Sequence, residues 1–318
     1  MPSLPDLPTE LLMEIVKQYP ALYLEIDALI CGMAAQQFTR NDIIRALSQT
    51  CRTLRNIFLP ILWERVYAVF TERTRQRKTK KRSKMLERRM IGLRKTPYII
   101  PHIRALSVTL EECDMDNWEP MAEFIRALNV LSSLEDLAIL KVPSAMLGVF
   151  RKSMEGKEFP SVQRLAVRDM LAEIIPCFPN VHTFTFEGYN SSHVESSNAS
   201  QCSKIVTVKN FVPSPIVLRL HVPNLKCLEF WRVPLNPSNL QPLEGMEALS
   251  EVRIRQYVGP STSRSSLAST KSSSLQAFVV EARRVLQTSH AKDRKKICIE
   301  ECEMGIIVKE TLDIRTCC

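Results

Sequence analysis

The sequence predicts an α+β or α/β protein, with a small helical domain at the N-terminus and an irregular solenoid of strand-plus-helix repeats behind it. Two observations support this fold class. Apolar residues return every three or four positions between residues 7 and 66, and a nine-residue apolar pattern recurs between residues 100 and 254. We therefore expect a helical domain over residues 1–70, a basic linker over 71–84 and a repeat domain over 85–318.

The first helix is predicted to begin at Pro8, because proline suits the first turn of a helix, where its missing amide hydrogen is not needed. Glu10 follows at the positive end of the helix dipole. The apolar residues around this start recur with helical spacing on one side of the helix. They are Leu7, Leu11, Leu12, Ile15 and Val16. An apolar stripe of this kind has to be covered by its own domain or by a partner.

Two further helices are predicted before residue 70. Thr39 can cap the second helix, with Asp42 answering from three residues further on. Apolar positions then continue with helical spacing as far as Phe58. The intervening members of this series are Ile44, Leu47, Cys51 and Leu54. Pro60 is predicted to break the pattern, and a short third apolar segment follows with Trp63.

Three short motifs occur in order in this region. They are Leu7-Pro8-Thr9-Glu10, Cys51-Arg52-Thr53-Leu54 and Leu62-Trp63. In type and order they resemble an F-box over residues 7–66, with one long insertion at 20–41. The resemblance implies a Skp-type adaptor as partner. Through that adaptor it implies a cullin-RING ubiquitin ligase of the SCF type, for which this chain would recruit the substrate.

The same resemblance implies which residues dock on the adaptor or support the docking. They are Leu7, Pro8, Leu11, Leu12, Ile15, Leu47, Leu54 and Trp63. Two alternatives stay open. The apolar stripe is the core of an ordinary helical domain, or the chain is an interaction scaffold that keeps an F-box-like bundle without joining a ligase.

The repeat domain is predicted from a nine-residue pattern with apolar residues at positions one, four, seven and nine. Copies begin at residues 100, 131, 159, 178, 222 and 246. Positions seven and nine alternate with a polar residue, as in a short strand with one buried face. The pattern resembles a leucine-rich repeat, with a mean spacing of about 29 residues. A degenerate copy is predicted at 200–208, with Val206 and Val208 as its inward pair.

Helices are predicted between the strands, because residues 85–93 and 121–131 carry helical spacing. Each repeat therefore combines a strand with a helix that stacks on its neighbours. Residues 259–274 are rich in serine and are predicted to form a flexible loop. A helix is expected over 275–286, and a strand at 297–299 would close the stack.

The residues beside the inward positions are predicted to line an exposed face of the sheet. Early strands bring small groups to it, such as Ser107 and Thr109, whereas late strands bring large and charged ones. The candidate target-binding residues on the late strands are Glu229, Trp231, Arg253 and Arg255. Trp and Arg often dominate interface energy, and paired guanidinium groups suit an acidic or phosphorylated target. The alternative is that Trp231 is covered and belongs to the core.

The basic charge of the chain is concentrated in one stretch. The sequence contains 43 Lys and Arg against 34 Asp and Glu, but residues 71–95 alone hold 12 basic and two acidic residues. In that stretch Lys80, Lys81, Arg82 and Lys84 form a candidate nuclear-import signal. A solvated linker is the alternative. A further alternative for the whole chain is a nuclear protein associated with nucleic acid. It is disfavoured because the stretch has no aromatic residue on which a base could stack.

The sequence offers no recognisable catalytic motif. With eight glycines it has no phosphate-cradling loop, and neither a Gly-x-Ser-x-Gly nor a His-Glu-x-x-His motif occurs. The ten cysteines are expected to be reduced thiols, and Cys298 and Cys302 lack the spacing of a zinc knuckle. We therefore expect no enzyme, cofactor, metal site or membrane span, and a location in the cytoplasm, the nucleus or both.

Overall fold

The structure is a computed structural model that describes residues 7–18, 34–69, 79–110, 118–168, 174–187, 204–210, 222–231, 235–258, 264–303 and 306–314. The chain divides into two compact units, Met1–Met154 and Glu155–Cys318. We describe each unit separately.

The first unit begins with three helices, as predicted. They are α1 (Thr9–Lys17), α2 (Ala34–Thr50) and α3 (Arg52–Trp63). One apolar cluster joins them. Its members are Leu12, Val16, Ile44, Leu54 and Phe58, each at most 4% exposed. Burial of these side chains is the main source of stability for helices this short, since a helix of about ten residues is marginal by itself.

The boundaries of α2 and α3 differ from those predicted. Helix α2 begins at Ala34, so the predicted insertion at 20–41 ends inside a helix, and Thr39 does not cap it. The break in the apolar series falls at Cys51, whose backbone is extended at φ −152° and ψ 171°. It does not fall at Pro60, which lies inside α3. Apolar periodicity continued through Cys51 because the side chains on both sides of the break face the same core.

Proline inside α3 removes one backbone hydrogen bond and normally costs about 3 kcal/mol. The helix continues because apolar residues on both sides of Pro60 hold it to the core. Leu54 and Phe58 are buried before it, and Ile61 and Leu62 pack against the same cluster after it. The segment that follows was predicted as helical but forms strand β1 (Arg65–Ala68).

The rest of the first unit alternates helices and strands. The helices are α4 (Thr79–Lys95), α5 (Glu119–Leu128) and α6 (Leu147–Met154), and the strands are β2 (Ala105–Thr109) and β3 (Asp136–Lys141). Single 3-10 turns occur at Ile100–His102 and Ser144–Met146. Strands β1, β2 and β3 pair in parallel in chain order. Helix α4 begins within the stretch at 71–84 that was predicted as a linker.

The second unit contains seven strands and one long helix among its described residues. The strands are β4 (Arg164–Arg168), β5 (Thr183–Glu187), β6 (Thr207–Lys209), β7 (Cys227–Trp231), β8 (Glu251–Val258), β9 (Lys296–Glu303) and β10 (Ile306–Asp313). Strands β4 to β9 pair in parallel in chain order, and β10 pairs antiparallel with β9. Short 3-10 turns lie at Pro237–Asn239 and Gln241–Leu243.

Helix α7 (Arg264–Thr288) corrects the prediction of a serine-rich loop over 259–274. Residues 264–274 are helical, and only 259–263 lie outside the described residues. No glycine or proline occurs between Arg264 and Thr288, and serine costs a helix only a fraction of a kcal/mol, about 0.5 or less, relative to alanine. The C-terminal half of α7 is anchored by buried Phe278, Ala282 and Val285.

The predicted inward positions form continuous columns of buried side chains. In the first unit Leu106 lies opposite Leu137, and Val108 lies opposite Ile139. The second unit has a column of its own at position seven. Its column runs through Leu165, Phe184, Val208, Leu228, Val252 and Ile297, each at most 1% exposed.

The degenerate copy predicted at 200–208 exists, but its frame is wrong by two residues. Val208 pairs with Phe184 and Leu228, which occupy position seven of their own copies. The copy therefore begins at residue 202, and buried Ile205 takes position four. Val206, predicted to point inward, is only partly buried. The frame was ambiguous because β6 has three residues and one strongly buried side chain.

A helical N-terminal region is thus followed by mostly parallel strands with interleaved helices. This confirms the predicted fold class and is consistent with an irregular leucine-rich-repeat-like solenoid. The residues at positions six, eight and ten of each copy are the ones left to face away from the column.

Candidate functional site

Among the described side chains of helix α1, Leu11 is a large apolar group exposed to solvent. The amides of Leu11 and Leu12 both donate to the carbonyl of Pro8, at 3.0 and 3.2 Å, which starts the helix there. Leu12 then points into the core, whereas Leu11 is 52% exposed and Pro8 is exposed beside it. An isolated exposed leucine is common on protein surfaces. This one lies within the motif that predicted adaptor docking.

The predicted adaptor-binding residues differ in how far the structure exposes them. Leu12 and Leu54 are buried and hold the helices together. Leu7 and Leu47 are partly exposed and pack against the same cluster. The side chain of Ile15 lies outside the described residues. Among the members whose side chains are described, Pro8 and Leu11 are the exposed ones.

Trp63 lies at the end of α3 and is only partly buried. Truncation of a fully buried Trp to Ala costs about 3–5 kcal/mol. Because Trp63 is only partly buried, we expect a smaller cost for it. We expect a smaller effect on stability than from Leu54 or Phe58, which have no exposed surface.

The outward side of strands β6 to β10, here called the late-strand face, carries a network of charged side chains. Strand register aligns Lys209, Glu229 and Arg253 in one row, and Arg255, Glu300 and Lys309 in the next. A third row places Glu251 opposite Lys296. Cross-strand neighbours on one face lie close enough for their side chains to interact directly.

Glu229 is the centre of this network, with a side chain that is 1% exposed. Its Oε1 lies 3.2 Å from Nε of Arg255. Its Oε2 lies 3.5 Å from Nη1 of Arg253 and 3.6 Å from Nζ of Lys209, without a hydrogen bond. A carboxylate this buried needs cationic neighbours, because desolvation of a lone charge costs several kcal/mol, on the order of 5 or more.

Each arginine also binds a second carboxylate. Arg253 donates from Nη2 to Oε1 of Glu251 at 2.7 Å, and Arg255 donates from Nε to Oε2 of Glu300 at 2.6 Å. A lysine also forms an ion pair with one of these two carboxylates, since Nζ of Lys296 lies 3.3 Å from Oε2 of Glu251.

Three members of this network, Glu251, Glu300 and Arg253, have pKa values shifted in favour of their charged forms. Burial alone would raise the pKa of Glu251, but the hydrogen bond and the charge of Arg253 outweigh it, so the pKa is below its ordinary value. The pKa of Glu300 is lowered in the same way, with Arg255 as the main partner that overcomes burial. The pKa of Arg253 is raised, since its carboxylate partners outweigh burial.

Part of this network was predicted from the sequence, namely Glu229, Arg253 and Arg255. Its other members were not predicted: Lys209, Glu251, Lys296, Glu300 and Lys309. The repeat pattern could have identified Lys209 and Glu251, because they occupy the outward positions eight and six of their copies. Glu300 and Lys309 lie on closing strands outside the repeat pattern, where sequence gave no register. The side chain of Trp231 lies outside the described residues.

The early strands do not offer the open face that was predicted. Ser107 and Thr109 are 9% and 6% exposed, and every residue of β2 is buried. Small side chains at these positions are therefore compatible with close packing on both sides of β2. This corrects the expectation that they line an exposed surface.

The candidate import signal lies in the first turns of α4. Lys84 is exposed, and the backbone of Lys80, Lys81 and Arg82 is helical. The side chains of those three residues lie outside the described part of the structure. Buried Leu86, along with Met90 and Leu93, fixes the opposite side of the helix. Nuclear import stays a prediction.

Burial raises the pKa of the Cys177, Cys227 and Cys298 thiols, which disfavours their reactive thiolate forms. Burial, with Glu251 nearby, raises the pKa of Cys227 to about 12. Burial and Glu251 also raise the pKa of Cys298. Among the described residues, no group of three or more His, Cys, Asp or Glu side chains is placed to hold a metal ion. The terminal Cys317 and Cys318 lie outside those residues.

No helix within the described ranges is long and apolar enough to cross a membrane.

Comparison with known proteins identifies one region of the chain. A family model described as an F-box-like domain matches residues 2–85. The match covers α1, α2 and α3 and extends into α4. No curated protein and no solved structure matches the chain. An F-box-like domain at the N-terminus is thus followed by the parallel-strand region.

Proposed function

We propose that this chain is the substrate-recruiting subunit of an SCF-type cullin-RING ubiquitin ligase. In this role the F-box-like domain binds a Skp-type adaptor, and the strand-rich region holds the protein to be modified. The chain itself recruits and does not catalyse. The match of an F-box-like domain to residues 2–85 is the observation that carries the proposal.

The geometry of α1 supports adaptor docking at one place. The helical core is closed by Leu12, Leu54 and Phe58, so those side chains are not available to a partner. Leu11 and Pro8 remain exposed next to that core. A partner that covered Leu11 would bury the 52% of this side chain that is exposed, which is worth about 0.8–1.5 kcal/mol, half the value for a fully exposed leucine.

A co-purification experiment tests the proposal. The intact chain and its Leu11→Glu variant are expressed with a Skp-type adaptor, and the adaptor recovered with each is quantified. We expect at least a tenfold loss for Leu11→Glu, because a buried unpaired carboxylate costs several kcal/mol, about 2 or more. Circular dichroism and thermal melting check that the variant stays folded, as expected for an exposed position.

Val280→Glu supplies the matched control. Val280 is an apolar residue on a helix, is 68% exposed and lies in α7, outside the F-box-like domain. This variant should recover as much adaptor as the intact chain. Normal binding by Leu11→Glu would contradict the docking site. If the intact chain recovers partners but neither adaptor nor cullin, the scaffold alternative replaces the ligase.

A further inference from the structure

We propose that the late-strand face binds an acidic segment of the recruited protein, rich in Asp and Glu and lying in an extended conformation across strands β6 to β10. This inference names the class of target and rests on the proposed function. The late-strand face meets such a segment with five cations, and three carboxylates hold these cations in place from below.

The charges of the face are sorted by depth. The side chains of Glu229, Glu251 and Glu300 are 1%, 13% and 7% exposed. The cations above them are 20% to 52% exposed. They are Lys209, Arg253, Arg255, Lys296 and Lys309. The order follows from length, because Lys and Arg extend past the shorter glutamates and keep their charged ends in water.

A partner that approaches this face therefore meets positive charge first. Within the network, three acids against five cations leave an excess of two positive charges, and those acids are the shielded component. Asp313, an exposed acid opposite Lys296 on β10, is itself paired with Arg294, so it leaves this excess unchanged. Acidic side chains of a target would approach the outer atoms of the cations, while Glu229 stays beneath. Complementary charge of this kind raises the rate and the specificity of association.

The cations are held before the target arrives. Arg253 is bound to Glu251, and Arg255 lies between Glu229 and Glu300. Long side chains that are already ordered lose less conformational entropy on binding. The buried carboxylates thus have a positioning role, because they hold the cations in place for an acidic segment.

The dimensions of the face suit a short peptide. Five strands at about 4.8 Å spacing span roughly 19 Å, which corresponds to about six residues of extended chain. A nucleic-acid site would follow the phosphate backbone with a longer track of unpaired cations. The five cations of this face are already paired with carboxylates and span only about 19 Å, so we assign the face to a short acidic protein segment.

Fluorescence anisotropy with the full chain tests this assignment. The probe is a labelled peptide of about six glutamates, sized to the span of the face, and a glutamine peptide of equal length is the uncharged comparison. The variant is Lys296→Gln with Lys309→Gln, which removes the two most exposed cations of the network. We expect at least about fivefold weaker binding of the glutamate peptide and no binding of the glutamine peptide.

The control variant removes two lysines from elsewhere in the same unit. Lys204→Gln with Lys226→Gln changes the net charge equally, and both residues are exposed outside the network. The assignment is overturned if both double variants weaken binding equally, or if the glutamate peptide does not bind. Binding of a phosphoserine peptide without binding of the glutamate peptide would overturn it in favour of a phosphorylated target.

Adaptor recovery separates a failure here from a failure of the proposed function. The Lys296→Gln, Lys309→Gln variant should recover as much adaptor as the intact chain, because its substitutions lie outside residues 2–85. If this variant binds the glutamate peptide more weakly than the intact chain does but recovers a normal amount of adaptor, both the ligase role and the acidic target are supported. Normal adaptor recovery without any binding of the glutamate peptide leaves the ligase role intact and removes only the acidic target.

Discussion

Strands β2 and β8 have similar inward-facing side chains and different outward-facing ones. Leu106 and Val108 on β2, and Val252 and Ile254 on β8, are buried at equivalent positions of the repeat. On the outward side β2 carries Ser107, which is buried, whereas β8 carries Arg253 within an ion network.

The difference shows which positions of a repeat are free to specialise. Inward residues must fill the column between neighbouring strands, so their chemistry is restricted to apolar side chains. Outward residues need only satisfy their own polar groups. Strand β2 of the first unit therefore carries small packed groups, while the late strands of the second unit carry charged groups whose outer layer is positive.

The largest expected effect concerns the inward half that the two regions share. Leu228→Ala in the second unit and Leu137→Ala in the first remove equivalent buried side chains. Each should lower the free energy of unfolding by about 2–5 kcal/mol, because a cavity is left in a packed column. Urea denaturation of the two variants measures this. A loss below about 0.5 kcal/mol in either would show that the column is not continuous there.

An intermediate effect is expected where the two regions differ. Glu229→Gln keeps the shape of the side chain but removes the charge among three cations, and should cost about 1–3 kcal/mol. Ser107→Ala changes the equivalent outward position of β2 and should cost about 1 kcal/mol or less. Denaturation at neutral pH compares them. Equal losses would mean that the ion network adds nothing beyond ordinary packing.

The inward half was predictable from sequence, and the outward half was predictable only in part. Apolar residues such as Leu137 and Val252 recur at fixed spacing, which reveals strand and face together. A cross-strand ion pair such as Arg255 with Glu300 joins residues 45 positions apart, so it appears only when the register is known. The serine content of residues 264–274 likewise predicted a loop where α7 begins. That prediction was wrong because the helix is anchored further along the chain, by Phe278, and the composition of the serine-rich stretch does not reveal this anchor.

The smallest expected effect depends on pH and separates charge from packing. Glu251 and Glu300 have pKa values below the ordinary value of 4.5 in the folded protein, because their arginine partners outweigh burial. Their ionised forms therefore stabilise the fold fully above that value, and the contribution is lost as the pH falls through the folded pKa. The variant Glu251→Gln with Glu300→Gln lacks this contribution at every pH.

The stability difference between the intact chain and the double glutamine variant should therefore be greatest near neutral pH and shrink on acidification. Leu228→Ala serves as the control, since its deficit comes from a cavity and does not involve a titrating group. Denaturation curves at neutral and acidic pH, on all three proteins, measure both differences. If the glutamine variant keeps its full deficit below the ordinary carboxyl pKa, the late-strand glutamates act through packing, and the electrostatic contrast between the two regions is lost.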